Sequence, residues 1–90
     1  MRRVIQAKRF EKSMKRMYRR GLDCGKVENV VLRLREGVTL PAELRDHALR
    51  GKWIGFRECH VEPNWLLVYR LTDDELFLAD TGTHSDLFGC

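Results

Sequence analysis

Ninety residues with 43% apolar content are enough for one domain around one modest core, a size that excludes a multidomain enzyme. The longest uninterrupted apolar run, Trp65-Leu66-Leu67-Val68-Tyr69, is far too short to span a bilayer, and no membrane partner is expected. The N-terminus is charged and carries no apolar segment of the secretory kind, so a cytoplasmic location is expected.

The net charge of +4 hides an asymmetry. Residues 1–20 hold nine Lys or Arg against one acid, Glu11, whereas the remaining seventy hold eight against twelve. A basic segment this dense points to a polyanion such as RNA, or to an acidic protein partner. Cys24, Cys59 and Cys90 are odd in number and widely spaced, with no Cys-x-x-Cys pair. They read as reduced thiols with no part in the chemistry, and not as a disulfide framework or a zinc site.

Taken in order, Arg3 to Ala7 reads as a first strand. Lys8 to Arg20 follows as an amphipathic helix whose apolar stripe is Phe10, Met14, Met17 and Tyr18. Gly21 closes it in the left-handed conformation that a helix end favours. Asp23 or Gly25 opens a second helix with Val27, Val30, Val31 and Leu34 on its buried face, and Gly37 stops it. Pro41 suits the first turn of a short helical segment through Leu44, and Asp46 to Leu49 leads out of it.

From Gly51 onward the pattern is extended. Trp53, Gly55, Arg57 and Cys59 are expected on one side, with Ile54, Phe56, Glu58 and His60 on the other. Pro63-Asn64 forms a turn, Trp65 to Leu71 a central strand, Thr72-Asp73-Asp74 another turn, and Glu75 to Thr81 the last strand. The order β-α-α-β-β-β predicts an α+β domain: a mostly antiparallel sheet with a two-helix hairpin packed on one face. The final Thr81-Gly82-Thr83 turn presents His84. Leu87 and Phe88 behind it are apolar enough to tuck onto a core and pin the histidine at a surface edge.

Three segments are too specific for periodicity alone: Asp46-His47-Ala48-Leu49-Arg50-Gly51-Lys52-Trp53, the run from Arg57 to Trp65, and the run from Thr81 to Gly89. Together they make the chain resemble the YafQ branch of the RelE/ParE superfamily of bacterial type II toxins over essentially its whole length. The resemblance implies a ribosome-dependent mRNA endonuclease held inactive by a cognate antitoxin of the DinJ type, reaching operator DNA only within that complex. It also implies an active site containing His47, His60 and His84, with Phe88 beside them. Glu58 stands where the family often has Asp, and Asn64 stands where an Asp is familiar; an asparagine cannot serve as a general base.

Residue chemistry suits the same reaction. RNA is cleaved without a metal when its own 2′-hydroxyl is activated against the adjacent phosphate. That needs a base, an acid for the leaving 5′-oxygen and cations for the phosphorane, and histidines suit both proton transfers. His84 is assigned as the acid and His60 or His47 as the base. Arg57 is the candidate for phosphate stabilisation, or else the partner of a neighbouring carboxylate. Phe88 is read as a base-stacking ring that also plugs the tail, and Arg50 and Lys52 as substrate contacts. Trp53 and Trp65 read as core. Two rival readings stand beside these: a three-histidine zinc site, and a non-catalytic protein acting as antitoxin-bound corepressor or gyrase inhibitor.

Overall fold

The computed structural model describes residues 1–89, so the reading of Cys90 lies outside the described residues. Strand β1 (Arg3–Gln6) leads into helices α1 (Lys8–Arg19) and α2 (Gly25–Glu36). A 3-10 turn at Ala42–Leu44 precedes the two-residue strand β2 (His47–Ala48), and a second turn at Gly51–Trp53 precedes β3 (Arg57–Glu62). Strands β4 (Trp65–Leu71) and β5 (Glu75–Gly82) follow, and α3 (His84–Phe88) is the last element among the described residues. The sheet order is β1-β5-β4-β3-β2, with β1 parallel to β5 and every other pairing antiparallel. This is the expected α+β architecture with one short strand and one short helix added.

The helical hairpin covers one face of the sheet. There Phe10 and Met17 of α1 and Val27, Val30 and Leu34 of α2 bury against Cys59, Trp65, Leu67, Tyr69, Leu76 and Leu78. A smaller cluster lies on the other face, where Leu66, Val68 and Ala79 meet Leu87 of α3, with Trp53, Phe56, Phe77 and Phe88 packed around them. Strand β4 is apolar on both sides because both sides are covered: Trp65 to Tyr69 are each 1% exposed or less.

Two expectations are corrected. Tyr18 is not part of the core stripe and is 74% exposed. At 3.6 residues per turn it lies about 80° round the helix from Phe10, whereas Met17 lies within about 20°. Ser13 completes the buried stripe instead, donating its hydroxyl to the buried Asp80. The extended pattern from Gly51 also begins later than expected. Gly51 (φ 66°) and Gly55 (φ 92°) fold residues 51–56 into a turn closed by the Leu49 N–H bonding to the Phe56 carbonyl at 2.9 Å. Trp53 consequently packs with Phe56 on the face away from the helical hairpin.

Helix α3 is only five residues long and is fixed from outside. Thr83 accepts a hydrogen bond from the Asp86 N–H at 3.1 Å, while the Asp86 carboxylate accepts one from the Thr83 N–H at 2.9 Å, a reciprocal capping box. Arg20, just beyond α1, grips the same carboxylate with both guanidinium nitrogens at 2.7 and 3.1 Å. Gly82 lets the two segments meet, because a Cβ there would stand 2.8 Å from Asp86 Cβ. Arg20, with a smaller contribution from the Thr83 hydrogen bonds, holds the Asp86 carboxyl well below the usual carboxylate range against the opposing effect of burial.

Leu67→Ala should cost about 2–5 kcal/mol in denaturant unfolding, whereas Tyr18→Ala should stay within about 0.5 kcal/mol of wild type. The Asp86 linkage has a definite sign. A carboxyl whose pKa is depressed on folding contributes stability above its unfolded value of about 3.9, and that contribution fades as pH falls through the lower folded value. Thermal unfolding of Asp86→Asn should therefore lie below wild type by a constant margin from pH 5 to 7. The gap should close only on acidification below the ordinary carboxylate range.

Candidate active site

The pairing of β2 with β3 sets His47 directly opposite Glu58, and strand alternation brings His60 to the same face two residues on. Glu58 is 5% exposed, and its Oε1 lies 3.4 Å from His47 Nε2 and 3.8 Å from His60 Nε2. His47 Nδ1 pairs with the Arg45 carbonyl at 2.8 Å, which makes that nitrogen the donor. A buried carboxylate thus stands between two imidazoles, one of them braced from behind.

His84 completes the group from the other side. As the first residue of α3 it meets His60 with ring centroids 5.9 Å apart and 64° between the planes. Its Nδ1 lies 3.5 Å from Asn64 Oδ1. Phe88, one helical turn on, sits with its ring 6.3 Å from that of His84. The register of β3 shifts between His60 and Glu62, and such an irregularity re-aims side chains at the end of a strand. His60 also lines a cavity of about 380 Å³ with Glu43, Leu44 and Arg45.

The expected set therefore divides. His47, Glu58, His60, His84, Asn64 and Phe88 come together. Arg57 does not, because alternation turns it to the helix-covered face with Cys59. There its Nε bonds to Asp46 at 3.2 Å, and the Tyr69 hydroxyl donates to the same Asp46 oxygen. Burial first, and Asp46 second, raise the Tyr69 hydroxyl pKa and keep it a donor. Of the two readings of Arg57, the carboxylate partnership is the one realised. Arg50 and Lys52 lie exposed on the loop that carries Trp53, whose ring stands edge-on to Phe88 at 6.3 Å.

Burial pushes the Cys59 thiol up to about 12, and burial, then Asp23 and Glu28, raise that of Cys24. Neither is a nucleophile at neutral pH. The three histidines do not form the metal set considered from sequence. Glu58, His60 and His84 do offer one ligand atom each, all within 4.8 Å of one another. Donors around a tetrahedral ion with bonds of about 2.1 Å stand roughly 3.4 Å apart, so these groups suit a metal in type and must draw together to hold one. No helix among the described residues is long and apolar enough to cross a membrane.

The positioning residues Thr83, Asp86 and Arg20 were not anticipated. The Thr-x-x-Asp spacing ahead of an apolar pair was the available signal for the cap. The Arg20 partner carries no such signal, being 66 residues away in sequence.

A family model for the bacterial toxin of type II toxin-antitoxin systems, YafQ, matches residues 2–89. The mRNA interferase toxin YafQ of Escherichia coli K12 is 42% identical over 81 residues, covering 89% of this chain and 88% of the relative. The toxin in the E. coli DinJ-YafQ toxin-antitoxin complex superposes with a TM-score of 0.91 at 39% identity, covering 98% of each chain. A metal-bound toxin from Helicobacter pylori superposes with a TM-score of 0.91 at 37% identity, covering 98% of this chain and all of the other. With one family model spanning nearly every residue, and relatives of this identity over most of their own lengths, the chain belongs to the YafQ family of type II toxin–antitoxin toxins.

Proposed function

We propose that this chain is the toxin of a cytoplasmic toxin–antitoxin pair and acts as a ribosome-dependent mRNA endonuclease, restrained by a cognate DinJ-like antitoxin. The observation that carries this reading is the meeting of His60 and His84, rings 5.9 Å apart, with the buried Glu58 behind them. Two imidazoles at that separation can flank one phosphodiester. His60 takes the proton of the 2′-hydroxyl, the 2′-oxygen bonds to phosphorus, and the bond to the 5′-oxygen breaks as His84 supplies its proton. The products are a 2′,3′-cyclic phosphate and a 5′-hydroxyl. Glu58 orients His60, and His47, across the same carboxylate, is the alternative base. Asn64 fixes the tilt of the His84 ring, and Phe88 stacks on an unpaired base. Arg50 and Lys52, on the loop beside Phe88, are the better-placed cations now that Arg57 is committed to Asp46.

The basic outer face of α1 supports docking on ribosomal RNA. It also offers an antitoxin a charged surface to cover, and operator DNA would be reached only through that complex. A metal bound by Glu58, His60 and His84 would occupy the nitrogens that move protons, so it is read as an inhibitor. The H. pylori neighbour shows that a toxin of this fold takes up a metal.

His84→Ala should lower cleavage on translating ribosomes by about 10²–10⁴-fold, with cyclic phosphate ends in the residual wild-type-like product. Retention of full activity in that variant would remove His84 from the mechanism. Cleavage of naked message should be far weaker than cleavage on the ribosome, and equal rates would overturn ribosome dependence. Chelator treatment should leave the rate unchanged and added Zn²⁺ should depress it. Loss of activity on chelation, restored by Zn²⁺, would replace the two-histidine scheme with metal-assisted hydrolysis.

A further inference from the structure

A second cavity, of about 280 Å³, opens between the start of α1 and the loop joining β2 to β3, and the proton-transfer scheme makes no use of it. Arg9, Lys52, Trp53, Phe56 and Leu87 line it. Its position relative to the histidines is set by aromatic contacts. Trp53 stands edge-on to Phe88 at 6.3 Å, and Phe88 lies 6.3 Å from His84, so one ring separates the cavity from the candidate acid.

The lining is unusual for a structural pocket. Trp53 is only partly buried, and two cations, Arg9 and Lys52, share one small opening, an arrangement that an entering anion would stabilise. Arg9 lies 5.9 Å from the Trp53 ring centre. Its Nε is tied to Asp80 at 2.9 Å, yet the side chain remains 64% exposed. Asp80 also accepts hydrogen bonds from the Ser13 hydroxyl and the Thr81 N–H, so Arg9 Nε is one of three donors to it, and the exposed remainder of the guanidinium faces the opening. Arg9 also borders a neighbouring groove of about 480 Å³ lined by Lys12, Lys15, Arg16 and Arg19, with the largely buried carboxylates Asp80 and Asp86 at its base, each paired to an arginine. An aromatic platform feeding into a cationic track is the combination that grips single-stranded nucleic acid, the ring stacking a base and the cations holding phosphates.

We propose that this cavity is a subsite for the message nucleotide flanking the scissile phosphate. Its base stacks on Trp53, and its phosphate is held by Lys52 and Arg9. The identity of the strand rests on the nuclease reading above.

The test uses a fluorescently labelled, 2′-O-methylated hexaribonucleotide that cannot be cleaved, with intact protein. Trp53 reports directly, because the only other tryptophan, Trp65, is 1% exposed. Binding should change tryptophan emission. Lys52→Ala and Arg9→Ala should each weaken binding several-fold and each flatten the slope of log affinity against log salt by about 0.7. Trp53→Ala should weaken binding about tenfold or more, the range of one stacked base. Lys52 is exposed, so its variant keeps the test decisive if Trp53→Ala fails to fold. Binding seen by anisotropy with silent tryptophan emission, or unchanged in Lys52→Ala, overturns the subsite. Cleavage of message by the same preparations reports separately. Cleavage without a Trp53 response leaves the nuclease reading standing and removes the subsite, whereas a Trp53 response without cleavage leaves an RNA-binding pocket and overturns both the nuclease reading and the scissile-phosphate assignment that rests on it. Trp53→Phe should alter base preference at the nucleotide beside the cut. Unaltered preference with weakened ribosome binding would assign the pocket to ribosomal RNA and overturn the message assignment.

Discussion

A helix of five residues has too few internal hydrogen bonds to hold itself, so the place of His84 depends on what ties α3 down. That tie is the carboxylate of Asp86. One oxygen closes the capping box with the Thr83 N–H while also meeting Arg20, and the other takes the second guanidinium nitrogen. Leu87 adds apolar burial against Leu66, Val68 and Ala79. Hydrogen bonding thus fixes how α3 enters, and packing fixes how deeply it lies. The ring of His84 then meets His60 as a consequence of contacts that neither histidine makes.

The other half of the site rests on alternation along β3. Successive residues face opposite sides of a strand, so a run of four places Glu58 and His60 with the histidines and sends Arg57 and Cys59 to the helical face. Each side finds a different solution for its charge. Arg57 and Tyr69 share Asp46 beside the main core, which steadies the segment just before His47. Glu58 stands between two imidazoles, 3.4 Å from one and 3.8 Å from the other. A glutamate, longer by one methylene than the aspartate the resemblance leads one to expect, has the reach to serve both. Burying that carboxylate is tolerable only because partners surround it.

Much of this was legible in the sequence, and the exceptions share a physical cause. The central strand from Trp65 to Leu71 declared itself because a strand covered on both faces reads as an unbroken apolar run. The helices declared themselves through stripes of 3.6 periodicity, with Gly37 at the end of α2 in the left-handed conformation. The two-residue β2 spans a single strand period and the five-residue α3 fewer than two helical turns, so in neither does a pattern repeat often enough to be read. Residues 51–56 misled for the opposite reason. Trp53, Ile54 and Phe56 have the composition of a strand, while the positive φ angles of Gly51 and Gly55 override it. Tyr18 failed by angle alone, being one residue past the edge of the stripe.

Charge on α1 must be divided in the same spirit before any of it is assigned to a polyanion. Arg9 and Arg20 are each committed in part to an acid on the strand-rich half of the chain, Asp80 and Asp86 respectively. Both acids lie near the far end of β5, so these two pairs bind α1 to the segment from which α3 departs. The helix therefore has three faces with separate tasks. Phe10, Ser13 and Met17 fill the core, Arg9 and, just past the helix end, Arg20 clamp β5 and α3, and Lys12, Lys15, Arg16 and Arg19 border an open groove that Arg9 also lines. An anion drawn to that groove arrives beside the clamp that positions His84. Basic character in the first twenty residues thus does more than raise affinity for RNA, because part of the same charge assembles the site that would act on it.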